Sequence, residues 1–236
     1  MRPELSSIQA GFEAVAVDRV PTAWSSVDAS MGGGLPLAGL HEWFAEGASW
    51  APLGVLVHLA WQRLTKELRE GGPARGVFWI GRRVWPYPRS LVGALRGGLD
   101  ASPSDSPADT TLLDASVFLD ASSAAERLWC AEQCLRCRGA ACVVMDGAGF
   151  DMAATRRLQL ASSRLPGECG VLALSGRPWE ERRLLSAATT RWVTRPCAVA
   201  GSAEPSWEVE LLRWKGGALH DAGVVQASAA WERSTG

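Results

Sequence analysis

Lysine is almost absent from this 236-residue chain: of its 24 basic residues only Lys66 and Lys215 are lysines, and the rest are arginines. A phosphate-binding loop of the strand–loop–helix type needs a lysine at the helix start, and neither of these two can supply it. Long apolar runs are missing too. No stretch approaches the ~20 residues of a membrane-spanning helix. The opening MRPELSSIQAGFEAV has acidic residues and no signal-like apolar core, so the expected compartment is the cytoplasm, with no membrane association. Excess charge of one sign is also lacking: the net charge of −1 argues against a strong, sequence-independent grip on nucleic acid. The three histidines, His41, His58 and His220, have no cysteine or carboxylate at ligand spacing and no Gly-x-Ser-x-Gly partner, which predicts structural roles.

What is present suits one domain with a sizeable core. Hydrophobic residues make up 47% and charged residues 21%, the balance of an ordinary globular protein. Twelve tryptophans are expected mainly in the core or at its rim, where exposed ones make good interface anchors. Arginine in place of lysine follows either from genomic base composition or from a preference for planar contacts to phosphates and carboxylates. Along the chain, residues 1–19 read as an N-terminal arm, 20–220 as the core and 221–236 as a C-terminal tail. Strands are predicted at 39–44, 75–80, within 111–119, and at 140–145, 171–174, 191–199 and 207–214. Helices are predicted at 52–70, 123–138 and 151–165, from apolar residues at helical spacing. Ser123 with Glu126 forms a capping box, and Gly139 is the expected stop. Residues 100–109, DASPSDSPAD, read as a surface linker. Strands alternating with helices of this length imply an α/β fold with a mostly parallel sheet covered on both faces; the late strands lack intervening helices and predict an antiparallel edge.

The most informative constellation is VPTAWSSVDASMGGGLPLAGLHEWF followed by EGASWAPLGVLVHLA. A Gly-rich turn, a buried strand, a loop opened by Gly47 and a helix would cradle phosphates with backbone N–H groups and the helix dipole. Pro52, Leu53 and Gly54 stand where Gly-Lys-Thr is expected. Asp146 ends an apolar strand as a magnesium-organising carboxylate would, or caps the strand–loop junction, and the junction role is the reading favoured. Gly81-Arg82-Arg83 offers no carboxylate to orient a water. Cys130, Cys134 and Cys137 match a cluster-binding spacing, but they fall inside a helix, where they are expected to pack as a second face; no metal or other cofactor is expected. The arginine pairs Arg82/Arg83, Arg156/Arg157 and Arg182/Arg183 would make a modest DNA or partner footprint on converging at the strand ends. Trp231 is the anchor candidate of the tail.

Together these residues resemble a family. Val20–Phe44 is similar to the entry of RecA/KaiC-type ATPase domains. ERLWCAEQCLRCRGAACVVMD, TRRLQLA at 155–161 and WEVELLRWKGG at 207–217 more narrowly resemble the ImuA family. The resemblance spans 20–217 and implies a RecA-like core and a role in SOS-induced translesion DNA synthesis. It implies partnership with an ImuB-like, Y-family-related protein and an error-prone replicative-type polymerase, with RecA as a further candidate. It maps Asp146 onto the magnesium-site aspartate, while Leu53 and Gly54 replace the lysine and hydroxyl. The expectation is a non-enzymatic adaptor. The rivals are a DNA-dependent ATPase of the RecA/KaiC type and a SulA-type inhibitor of cell division.

Overall fold

The computed structural model describes residues 18–47, 51–73, 75–93, 111–163, 170–197, 206–215 and 227–230. The linker at 100–109 and Trp231 lie outside them. β1 (Arg19–Val20), α1 (Ser25–Ser30) and β2 (Leu35–Pro36) form an entry hairpin, with β1 and β2 antiparallel. Gly34 closes its turn at φ +122°, where a Cβ would lie 2.0 Å from the Val20 carbonyl oxygen, so only glycine fits. The core follows as β3 (Leu40–Ala45), α2 (Leu53–Arg69), β4 (Gly76–Ile80), α3 (Pro88–Gly93), β5 (Ser116–Leu119), α4 (Ala124–Arg136), β6 (Ala140–Asp146), α5 (Met152–Ser162) and β7 (Leu172–Arg177). It ends with β8 (Thr190–Cys197), β9 (Ser206–Trp214) and β10 (Ala227–Ala230).

These last eight strands make one sheet in the order β10-β9-β8-β3-β7-β6-β4-β5. The strands from β5 through β8 in that order run parallel, and β9 is antiparallel to both β8 and β10. This is the expected RecA-like arrangement, a mostly parallel sheet with an antiparallel C-terminal edge. Its faces are apolar on both sides because residues alternate along each strand. Trp43, Trp79, Val144, Leu174 and Trp192 pack with Val55, Leu56 and Leu59 of α2 on one face. Leu40, Ile80, Val143, Met145 and Ala173 pack with Ala131 and Leu135 of α4 and Leu158 of α5 on the other. Trp43 and Trp192 stack with centroids 5.2 Å apart. β3 lies between β7 and β8, so the chain crosses over it, and the loop after β3 opens at the crevice such a crossing creates.

Three local expectations need correction. β7 runs on to Arg177, because Ser175, Gly176 and Arg177 continue the pairing with β6 and β3 although their polarity hid the strand. α4 stops at Arg136, and an extended Cys137 (φ −73°, ψ 129°) ends it in place of a left-handed glycine at 139. Cys137 is therefore exposed, and the cysteines do not share one packed face: Cys134 is buried and Cys130 half-buried. The capping box stands as expected, with Ser123 accepting from the Glu126 N–H at 3.2 Å and Glu126 accepting from the Ser123 N–H at 3.0 Å.

Candidate functional site

Two regions face the carboxyl ends of the strands. The first is the loop from β3 to α2. Pro52 is the N-cap of α2 and gives no side-chain cap, so the positive end of the helix dipole is available in principle. What surrounds it is apolar. Ala51 and Leu53 pack against the tryptophan-rich core, together with Trp207 of β9. A Cβ on Gly54 would lie 2.4 Å from Cζ2 of Trp207, so the indole fills the space a threonine or serine would need. The charge of the loop is negative: Glu46 pairs with Arg195, which also meets Glu210 at 2.6 Å and Glu208 at 3.6 Å. Three carboxylates around one guanidinium repel a polyphosphate.

The second region is a cleft of about 820 Å³ at the ends of β4, β5 and β6. Its charged lining is Arg82, Arg83, Asp120, Arg127, Asp146 and Glu181. Asp146 is 4% exposed, and its Oδ1 accepts the Ala148 N–H at 3.0 Å. Arg127 Nε lies 3.6 Å from Oδ2 of Asp146 and donates to its carbonyl oxygen at 2.9 Å. The same guanidinium donates to Ala148 and Ser122 carbonyls at 2.7 and 2.6 Å, tying α4 to the β6 loop. Gly81, at φ +85°, lets this happen: a Cβ there would lie 2.7 Å from Arg127 Cδ. Asp146 is thus built as a strand-end clamp. It is buried, bonded to an N–H and faced by a guanidinium.

The other site candidates are scattered. Arg82 forks onto Asp120, with Nε to Oδ1 at 2.9 Å. Arg182 lies over the Trp179 ring at 3.8 Å and bonds that residue's carbonyl; Arg183 follows it in the same turn. Glu181 joins the cleft by accepting the Gly149 N–H at 2.9 Å. Arg156 and Arg157 sit away from the cleft on α5, and Arg157 forks onto Glu132 of α4. Arg82 and Arg83 thus come together with Asp146, whereas Arg156 and Arg157 do not.

Sequence reasoning missed Arg127 and a buried network under the cleft. Glu42 of β3 accepts from Arg177 Nη1, Arg191 Nε and Ser186 Oγ at 2.7, 2.7 and 2.8 Å. Arg177 also reaches Glu181 and the Phe150 carbonyl. The available signals were charges in apolar company: Glu42 inside LHEWF, and Arg127 on the stripe that continues through Ala131 and Leu135. His41 is wholly buried between Thr190 Oγ1 and the Pro36 carbonyl, and burial, partly offset by the latter bond, lowers its pKa to about 4. Burial, then the neighbouring Cys130 and Cys137, pushes the Cys134 thiol up to about 11. Among the described residues no group of three or more His, Cys, Asp or Glu is placed to hold a metal ion.

The fold defines an α/β protein of the RecA-like class, with the Trp207 indole packed against Gly54 at the start of α2. No family model matches the chain. Among curated proteins it is similar to Protein ImuA of Caulobacter vibrioides, in strain NA1000 / CB15N and in strain ATCC 19089 / CIP 103742 / CB 15. In both it is 32% identical over 201 residues, covering 79% of this chain and 74% of the relative. The chain belongs to the ImuA family.

Proposed function

We propose that the chain is a non-catalytic adaptor of SOS-induced translesion synthesis, acting through contacts with an ImuB-like protein, an error-prone polymerase and RecA. One observation supports the reading: the Trp207 indole lies against Gly54, in the space a hydroxyl side chain there would need, and Leu53 stands where a lysine is expected. Phosphoryl transfer is stabilised almost wholly by positioned positive charge. Here the nearest loop charge is Glu46, and the Asp146 carboxylate is committed to Ala148 and Arg127. What this sheet keeps from an ATPase frame is a rigid platform for presenting surface side chains. A DNA contact belongs to the reading only as a weak, salt-sensitive one, since Asp120, Asp146 and Glu181 balance the cleft's arginines.

The test has two parts. The purified chain should release no phosphate from ATP above a heat-inactivated control, with or without single-stranded DNA. It should also retain the ImuB-like protein of its own cassette in a purified two-component pull-down. Phosphate release abolished by Asp146→Ala would replace the adaptor by the DNA-dependent ATPase.

A further inference from the structure

The groove between the C-terminal halves of α4 and α5 holds charge that the fold does not use. It encloses about 610 Å³, walled by Leu135, Leu160 and Ala161 and rimmed by Arg136, Arg138 and Arg157. Among the described residues Glu132 is its one carboxylate, and Arg157 occupies both oxygens, at 2.8 and 2.6 Å. Arg136 and Arg138 are exposed and have no hydrogen-bond or ion-pair partner among the described residues. Three guanidiniums less one carboxylate leave the described lining at +2, in a chain whose total is −1. Beside this charge stands uncovered apolar surface. Leu160 is 58% exposed, and Trp129, two helical turns before Arg136 on the same side of α4, is 62% exposed.

We infer that this groove docks an acidic segment of a partner protein. The segment has carboxylates for Arg136 and Arg138 and a branched aliphatic anchor for the exposed Leu160. Charge complementarity selects the sign of the ligand, because unpaired arginines beside a saturated Glu132 gain from carboxylates and repel a basic segment. The aliphatic wall selects its class. A nucleic acid strand takes its affinity from phosphates and from base stacking on aromatic rings, and would leave the exposed side chain of Leu160 uncovered. An acidic amphipathic helix matches both halves, with apolar residues three and four apart on one side and carboxylates flanking them. The inference rests on the adaptor reading and adds the surface and the chemistry of the contact.

Fluorescence anisotropy of the full chain with three labelled probes tests it: a Glu/Leu amphipathic peptide, its Lys-for-Glu counterpart, and a single-stranded oligonucleotide. The acidic peptide should bind and weaken with salt, while the basic peptide should not bind. The Arg136→Gln/Arg138→Gln double variant should lower the affinity about tenfold, and Leu160→Asp should lower it as well. Arg69→Glu, on α2 across the sheet, should change nothing. The Gln pair avoids placing acid at a helix C-terminus, and thermal melts identify any variant that fails to fold. Equal binding of the acidic peptide by wild type and the Gln pair overturns the inference, and so does displacement of that peptide by the oligonucleotide. These readouts contain no ImuB-like protein, so their failure removes the groove alone. Failure of the wild-type chain to retain the ImuB-like protein removes the adaptor reading instead.

Discussion

Glu42 and Arg177 are completely buried, an arrangement that costs several kcal/mol of desolvation per ion and holds only while every charge is answered. Glu42 answers both Arg177 and Arg191, Glu181 takes a second contact from Arg177, and a serine hydroxyl takes part. Replacing Glu42 by Gln should therefore strand the buried Arg191, leave Arg177 with Glu181 as its remaining carboxylate, and destabilise the fold by about 3–5 kcal/mol, read from the denaturant midpoint at constant slope. A loss below about 1 kcal/mol, the size of an exposed pair, would show that the network is not intact. His41 makes a prediction about pH. Its folded pKa lies below its unfolded value of 6.5, at about 4, so the unfolded chain binds the proton first as pH falls. Stability from its neutral ring is complete above pH 6.5 and is lost between 6.5 and about 4, on the order of 3 kcal/mol in all. Burial lowers His58 in the same direction, opposed by its bond to the Thr22 carbonyl and by Asp28. His41→Gln should flatten the fall in melting temperature over that interval.

At the scale of elements, the loop from β3 into α2 and the edge strand β9 have become one packing unit. Trp207 from β9 lies against the first turn of α2, and Arg195 joins Glu46 to Glu208 and Glu210. Restoring the missing lysine and hydroxyl by Leu53→Lys/Gly54→Thr should therefore fail to create nucleotide affinity. It should also destabilise the protein by about 1–3 kcal/mol, because a rigid indole must move, and a differential scan with and without Mg-ATP reads both outcomes. A nucleotide-induced rise in melting temperature would contradict this packing. Most of the elements were legible from sequence because their signals are local: periodicity for α2 and α5, a capping box for α4, a continuous apolar run for β6. The polar end of β7 was not, since Ser175-Gly176-Arg177 is a strand only by virtue of β3 and β6 beside it. The absent lysine was visible, but Trp207 beside Gly54 was not, because the two lie 153 positions apart in the chain. The groove arginines were equally hidden: Arg136 and Arg138 acquire meaning only when Arg157 is seen to consume Glu132.

For the whole molecule, the parallel sheet gives a rigid frame, and each face presents a different surface. The α2 side is a tryptophan-rich interior, while the α4–α5 side carries the uncovered leucine, tryptophan and arginines. A RecA-like ATPase couples nucleotide to partner through a site shared by both; on the proposed adaptor reading this chain holds no nucleotide there, so partner binding should be independent of nucleotide. Coupling between two ligands is reciprocal, and a ligand that does not bind cannot shift the affinity of another. The most direct measurement is the dissociation constant for the ImuB-like protein, titrated by calorimetry with and without saturating Mg-ATP. The adaptor account predicts measurable association with the same constant in both conditions. A constant that changes with Mg-ATP would contradict it, as would the absence of association in either.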